Sequence, residues 1–141
     1  MVNPAKVEGL LRNLALYTRY LQNLARTERH IFLSDPEKIG AAKYYLQVAI
    51  EVCIDLGNHL IASERWRAPR DYRDVFSVLQ ENGVVTEDFA RTLRQMAGVR
   101  NLLVHLYWEV DDAQIYDDMQ NNLGDFDRYA RCILEFLNKR L

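Results

Sequence analysis

The sequence has few of the residues that break helices or cross-link chains. It contains three prolines, six glycines and two cysteines in 141 residues. So few chain breakers argue against a disordered chain and against a fold of short strands and turns. Cys53 and Cys132 fall on apolar faces of separate predicted helices, which indicates buried thiols in a reducing compartment rather than a disulfide framework. Their spacing is not that of a zinc site, and we expect no metal and no other cofactor.

Long apolar runs and an excess of basic charge are also missing. Charged residues interrupt every apolar stretch, so none reaches the roughly 20 residues that span a bilayer. The first segment does not have the layout of a signal peptide, and we expect a cytoplasmic protein with no membrane partner. The formal net charge is -2 at pH 7, which is not the basic balance of a nonspecific nucleic-acid binder. Any contact with RNA must therefore be local.

What remains is the composition of a helical globular protein. The hydrophobic fraction of 49% and the charged fraction of 27% are both ordinary for such a protein. The length predicts one domain, residues 1–141, with enough chain to bury a real core.

Apolar residues recur at helical spacing along most of the chain. Asn3 and Pro4 predict the start of a first helix that runs to about Phe32. The segment 34–37 (Ser-Asp-Pro-Glu) predicts the start of a second, long helix. Its apolar seam repeats every seven residues, as in a long antiparallel helix pair, at Ile39, Leu46, Cys53 and Leu60, joined by Ala42, Ala49 and Leu56.

Three more helices are predicted after a break at residues 66–70. A short helix starts near Asp71 and ends before Gly83, and Thr86 caps the next helix. After a connection at residues 109–112, apolar positions as far as Leu137 predict one last helix. The prediction is an all-α, antiparallel bundle of four main helices plus one short helix.

One octet, Arg100-Asn101-Leu102-Leu103-Val104-His105-Leu106-Tyr107, places side chains suited to phosphodiester chemistry in an apolar helical run. An arginine can hold a phosphate with two parallel hydrogen bonds, and a histidine can exchange a proton near neutrality. RNA carries its own nucleophile in the 2′-hydroxyl. A positioned base and a charge stabiliser can therefore cleave it without metal, leaving a 2′,3′-cyclic phosphate.

The spacing within the octet creates a geometric problem. On one straight helix Arg100 and Tyr107 lie within about 20° of each other, whereas His105 is turned away from Arg100 by about 140°. Either the helix loosens near Val104 to His105, or two chains share the site. In the second case two motifs would face each other across a symmetric dimer and form one cleft.

Structural roles are the alternative for each of these residues. Arg100 takes an apolar position in a helical stripe, so its stem could pack while its head reaches a carboxylate such as Glu51 or Asp55. His105 alone could be a satisfied interface histidine, with Gly98 and Asn101 leaving room near its ring. Tyr107 could be an aromatic on a helix face whose hydroxyl reaches solvent.

Two other features are weaker candidates. In the segment Arg65–Arg73, arginines alternate with aromatic residues, which suits phosphate contact and base stacking. The same segment could equally be a solvated loop between two helices. Asp55 and His59 stand at the i and i+4 spacing of metal ligands, but no third ligand is apparent and a capping histidine is commoner.

The ungapped match of Arg100-Asn101 through His105-Leu106-Tyr107 to the pattern R-N-x-x-x-H-x-Y is the specific signal, and residues 41–62 support it. On these residues the chain resembles the HepT-like branch of the HEPN superfamily over nearly its full length. The resemblance implies a bacterial or archaeal toxin that is a metal-independent endoribonuclease. It further implies a homodimer whose two motifs line one cleft, and a nucleotidyltransferase antitoxin that attaches AMP to Tyr107.

The chemistry assigns a role to each motif side chain. His105 would carry the proton, and Arg100 would stabilise the charge that builds on the phosphoryl oxygens. Asn101 would orient the phosphate or the imidazole, and Tyr107 would hydrogen-bond the phosphate or stack on a base. The alternative function is a non-catalytic helical module that presents substrate or nucleic acid to a nucleotidyltransferase partner.

Overall fold

The computed structural model describes residues 1–140, and the regular structure of this part of the chain is entirely helical. The all-α prediction is therefore confirmed. No helix within residues 1–140 is long and apolar enough to cross a membrane. In chain order the helices are α1 (Pro4–Ala25), α2 (Arg29–Leu33), α3 (Pro36–Glu64), α4 (Tyr72–Glu81), α5 (Glu87–His105), a 3₁₀ helix (Tyr107–Glu109), α6 (Asp112–Asn121) and α7 (Gly124–Lys139).

The first predicted helix is divided in two. Helix α1 ends at Ala25, and the short α2 carries Phe32 into the core. Side chains of α6 cover the chain at this break: Gln120 donates to the carbonyl of Ala25 at 2.6 Å, and the Tyr116 hydroxyl donates to the carbonyl of Thr27 at 2.6 Å. Because these bonds satisfy carbonyls at the end of α1, the helix can stop earlier than its sequence predicts.

The last predicted helix is divided as well, between Asn121 and Gly124. Apolar spacing does not reveal this break, because Met119, Leu123 and Phe126 are buried on both sides of it. The predicted five helices thus become seven α-helices in the described residues, while the long α3 and the short α4 keep their predicted places.

Helix α3 is the centre of the bundle and packs against α1, α4 and α5. Most of its predicted heptad seam is buried, which confirms that prediction. Gly57 permits the close approach of α4, since a Cβ atom there would lie 2.6 Å from Cγ1 of Val75.

The two cysteines differ in their burial. Cys53 is fully buried, which raises the pKa of its thiol, whereas Cys132 is half-buried.

An ion cluster ties the loop before α4 to the helix itself. The Arg67 guanidinium donates to both carboxylate oxygens of Asp74, at 2.8 and 3.0 Å, and to Glu81 at 2.6 and 3.0 Å. The Arg70 backbone N–H donates to Asp74 at 2.9 Å. These hydrogen bonds, those of Arg67 first, lower the pKa of Asp74 from 3.8 to about 2. The cluster fixes the start of α4.

Replacement of Asp74 by asparagine is expected to lower the free energy of unfolding at neutral pH by about 1 kcal/mol, because a bidentate charged contact at a partly solvated site is lost. The folded-state pKa of Asp74 is below its ordinary value. The stabilisation is therefore present above about pH 4 and is lost as the pH falls towards 2.

Urea unfolding of the wild type and Asp74→Asn at several pH values checks this expectation. Asp88→Asn is the control, because the Asp88 carboxylate is 90% exposed and makes only a long contact, 3.4 Å, with Nη1 of Arg91. The difference between wild type and Asp74→Asn should shrink as the solution is acidified. A difference that stays constant down to about pH 2 would contradict the assigned pKa.

Candidate functional site

The motif octet lies at the C-terminal end of α5. Thr86 begins this helix by accepting a hydrogen bond from the Phe89 backbone N–H at 3.2 Å, as predicted. The helix ends at His105, since Leu106 leaves the helical region of backbone angles with φ -138° and ψ 49°. Tyr107 then opens the 3₁₀ helix. Tyr107 therefore does not share a helical face with Arg100, as it would on one straight helix. The helix ends at His105, next to the point at which one of the two alternatives expected it to loosen.

Arg100 lies on the inner side of α5 with its side chain 14% exposed. Its Nε donates to Oε1 of Glu51 at 3.0 Å, and Glu51 is one of the two carboxylates named in the structural alternative for Arg100. Its guanidinium carbon lies 4.7 Å from the ring centre of Tyr72. Within residues 1–140 the Nη2 atom makes no hydrogen bond with the protein. Glu51 and Tyr72 thus hold the guanidinium while one of its donor edges stays available for an anion.

Asn101 takes part in holding Arg100. Its Oδ1 accepts a hydrogen bond from Nη1 of Arg100 at 3.3 Å. Asn101 itself is partly buried. Asn101 therefore helps to orient Arg100, the residue proposed to bind the phosphate.

His105 is exposed in the last turn of α5. Its imidazole makes neither a hydrogen bond nor an ion pair with the described residues. Because both residues belong to one regular helix, His105 points about 140° away from Arg100. The two side chains make no contact with each other. A single chain therefore presents the Arg100 guanidinium and the His105 imidazole on different sides of α5.

Tyr107 is placed by a lysine that the sequence reasoning missed. Nζ of Lys43 lies 4.4 Å from the centre of the Tyr107 ring and 2.7 Å from Oδ1 of Asp112. The Lys43 side chain is only 7% exposed. Tyr107 remains 44% exposed. A buried cation beneath the ring fixes the aromatic face and leaves the rest of the side chain accessible. In the sequence, the only indication of this role is that Lys43 directly follows Ala42 of the apolar seam of α3.

The motif octet and the residue after it expose several large apolar side chains. Trp108 is 77% exposed. Exposed apolar groups clustered in one short segment mark an interaction surface. We call this segment the motif patch; its members are Leu102, Val104, Leu106, Tyr107 and Trp108.

The arginine-rich segment 65–73 divides between structural and exposed roles. Trp66 packs edge-on against Phe136 with ring centres 5.5 Å apart, and Arg67 belongs to the ion cluster at α4. Arg73 instead covers Gly98, where a Cβ atom would lie 2.6 Å from its Nη2. The prediction that Gly98 leaves room for the His105 ring is therefore wrong, because the Arg73 guanidinium occupies the space next to Gly98.

The Asp55 and His59 pair gains no third ligand. Nε2 of His59 accepts a hydrogen bond from the Asn3 backbone N–H at 3.0 Å. Burial, together with the charge of Lys6 and of the N-terminus, lowers the pKa of His59. Among residues 1–140 no group of three or more His, Cys, Asp or Glu side chains could hold a metal ion. His59 thus ties the start of the chain to α3.

Within residues 1–140 the regular structure is helical, with Arg100 and His105 near the end of α5 and Tyr107 in the 3₁₀ helix that follows. Residues 10–133 match the family described as Ribonuclease HepT-like. This match spans most of the chain, so the protein belongs to the HepT-like ribonuclease family, and the resemblance seen in its sequence is confirmed.

Individual relatives agree with this assignment. The mRNA nuclease HepT of Shewanella oneidensis is 33% identical over 88 residues, which are 62% of this chain and 66% of that protein. The tRNA nuclease HepT of Aphanizomenon flos-aquae is 23% identical over 136 residues, covering 96% and 92% of the two chains. The tri-AMPylated Shewanella oneidensis HEPN toxin, solved in complex with MNT antitoxin, matches with a TM-score of 0.87 and 25% identity over 95% of this chain and 99% of that one.

Proposed function

We propose that this protein is a metal-independent endoribonuclease and the toxin of a toxin–antitoxin pair. The observation that carries the proposal is the ungapped motif from Arg100 to Tyr107, displayed at the end of α5 in a chain of the HepT-like ribonuclease family. Two relatives are named as an mRNA nuclease and a tRNA nuclease, which supports RNA as the substrate class.

The proposed reaction needs only groups of the protein and of the RNA. His105 accepts the proton of a 2′-hydroxyl as that oxygen attacks the adjacent phosphorus atom. The bond from phosphorus to the 5′-oxygen breaks, and the departing oxygen takes up a proton from the protonated imidazole of the second chain in the dimer proposed below. Arg100 stabilises the negative charge on the non-bridging oxygens. The products end in a 2′,3′-cyclic phosphate and a 5′-hydroxyl.

A symmetric homodimer would bring the separated groups together. Arg100 and His105 of one chain diverge by about 140° around α5, so the guanidinium of one chain can work with the imidazole of its partner. The motif patch supplies apolar surface next to this site for the two chains to bury.

We therefore expect a dimer at micromolar concentration in light scattering. Replacement of Trp108, the most exposed member of the motif patch, by glutamate should shift the protein towards monomer and lower its activity together with the dimer fraction. A monodisperse wild-type monomer that cleaves RNA would contradict the shared site.

The proposed antitoxin is a nucleotidyltransferase that adds AMP to Tyr107. The similar Shewanella oneidensis toxin carries AMP groups and is bound to an MNT antitoxin. Tyr107 is the last residue of the motif and is exposed, and one face of its ring contacts Nζ of Lys43. An adenylate at this position would put a negative phosphodiester and a bulky adenosine at the cleft, where they would compete with RNA.

A cleavage assay in excess chelator tests the ribonuclease proposal. We expect the wild type to cut single-stranded RNA and His105→Ala to leave it intact. A wild type that binds RNA but does not cut it would support the alternative, a module that presents nucleic acid to a nucleotidyltransferase partner.

A further inference from the structure

We propose that Arg73 and Arg94, which lie outside the motif, bind phosphates of the RNA strand and guide it towards His105. This inference rests on the proposed ribonuclease function and extends it to a second part of the surface. The two arginines line a shallow groove of about 260 Å³ between α4 and α5, which we call the arginine groove. Its lining residues are Arg70, Asp71, Arg73, Asp74, Ser77 and Arg94.

The carboxylates of the arginine groove are already engaged. Asp74 is bound by Arg67 and by the Arg70 backbone N–H, with Nε of Arg70 a further 3.8 Å away. Asp71 caps α4 by accepting a hydrogen bond from the Asp74 backbone N–H at 2.8 Å. The acids of the groove are therefore bonded to Arg67, to Arg70 and to the start of α4, and none of them pairs with Arg73 or Arg94.

Neither of these arginines forms an ion pair with a carboxylate in the described residues. Arg94 donates only a long hydrogen bond, 3.4 Å, to the Ser77 hydroxyl. Arg73 is exposed, and its guanidinium lies against the backbone at Gly98. Guanidinium groups without an acidic partner are suited to bind phosphate oxygens through paired N–H groups. They are a local basic site in a chain whose formal net charge is -2.

The two arginines are also aligned with the motif. Arg94, Gly98, Asn101 and His105 fall within about 60° of one another around the axis of α5. Because the guanidinium of Arg73 covers Gly98, it adds a cation to this row. The row rises about 16 Å along the helix, long enough to contact more than one phosphate of a strand. An RNA strand that follows it passes two guanidinium groups and reaches the imidazole.

Binding of an RNA that cannot be cleaved tests the proposal. The probe is a fluorescent single-stranded oligonucleotide with 2′-O-methyl groups throughout, and anisotropy gives Kd over a range of salt concentrations. Arg73→Gln and Arg94→Gln are each expected to raise Kd about five- to tenfold, the usual range for one charged contact. Each should also reduce the slope of log Kd against log salt by about 0.7, as expected for one lost phosphate contact on a single strand.

Arg12→Gln is the matched control, because it removes the same charge from an exposed position on α1, which packs against α3, α6 and α7. It should leave Kd, the salt slope and cleavage at wild-type values. Circular dichroism checks that each variant keeps the helical fold.

Gly98→Ala tests the same site without changing any charge. Its methyl group would meet the flexible end of Arg73 at 2.6 Å and displace the guanidinium. Alanine also favours the helix more than glycine does. The expected result is weaker RNA binding with a thermal midpoint that is not lowered, a combination that a loss of folding would not give.

The outcomes separate this inference from the proposed function. If the wild type cleaves RNA while Arg73→Gln and Arg94→Gln keep its Kd and salt slope, the arginine groove is not an RNA site and the ribonuclease proposal stands. If these variants lose affinity for the antitoxin and not for RNA, the groove is a protein interface and the inference is wrong. If the wild type neither binds nor cleaves RNA, both proposals fail.

Discussion

Replacement of His105 by alanine is expected to slow RNA cleavage by at least about 100-fold, the usual contribution of a general acid or base. The stability of the fold should not change, because the imidazole is exposed and makes no bond to the described chain. Single-turnover cleavage of a fluorescent RNA in chelator measures the first effect, and urea unfolding measures the second. A His105→Ala protein that cleaves at the wild-type rate would remove His105 from the chemistry.

Arg100→Ala should slow cleavage by a similar factor, on the order of 100-fold, since a stabiliser of transition-state charge is lost. This variant differs from His105→Ala in its stability. Arg100 is largely buried against Glu51 and Tyr72, so its loss should also cost about 1–2 kcal/mol of unfolding free energy.

Glu51→Gln separates the two effects of Arg100. It removes the ionic partner at 3.0 Å but keeps the guanidinium. We expect it to lose stability as Arg100→Ala does while retaining most of the cleavage rate. Equal losses of cleavage in Glu51→Gln and Arg100→Ala would show that cleavage depends on the Arg100–Glu51 ion pair and not on the guanidinium alone.

AMP on Tyr107 is expected to abolish cleavage, which is the second large effect. The modification adds negative charge and bulk at the exposed motif patch, so RNA is excluded without unfolding of the protein. Mass spectrometry after co-expression with a nucleotidyltransferase encoded next to this protein should find adenylate on the Tyr107 peptide. Tyr107→Phe should cleave RNA at the same rate with and without this co-expression, because it has no hydroxyl to modify.

Tyr116 provides an internal control for this switch. Its hydroxyl donates to the Thr27 carbonyl at 2.6 Å, and its ring packs against Phe32. A tyrosine engaged in this way should stay unmodified. Adenylate found only on Tyr116, or an adenylylated protein that cleaves RNA at the unmodified rate, would refute the proposed control through Tyr107.

The features that sequence predicts well are those set by neighbouring residues. Thr86 and Asp35 cap α5 and α3 through hydrogen bonds to backbone N–H groups two or three residues away, so their spacing is visible in the sequence. The burial of Arg100 is visible too, because an arginine within an apolar stripe needs a carboxylate and Glu51 supplies it.

The features that were missed depend on contacts between distant parts of the chain. The early end of α1 is set by Gln120 and Tyr116, which are far away in sequence. Arg73 meets Gly98 only because α4 packs on α5, and Lys43 meets Tyr107 only where α3 passes the end of α5. Helical spacing cannot identify such pairs, because it describes one helix at a time.

Cleavage of RNA and of its 2′-O-methyl analogue in excess chelator tests the central claim most directly. The wild type is predicted to cut the RNA to fragments with 2′,3′-cyclic phosphate and 5′-hydroxyl ends. The methylated strand should bind but stay intact, since its 2′-oxygen has no proton for His105 to accept. Cleavage of the methylated strand, fragments with 3′-hydroxyl ends, or cleavage that appears only when a divalent cation is added would contradict attack by the 2′-hydroxyl at a site built from Arg100 and His105.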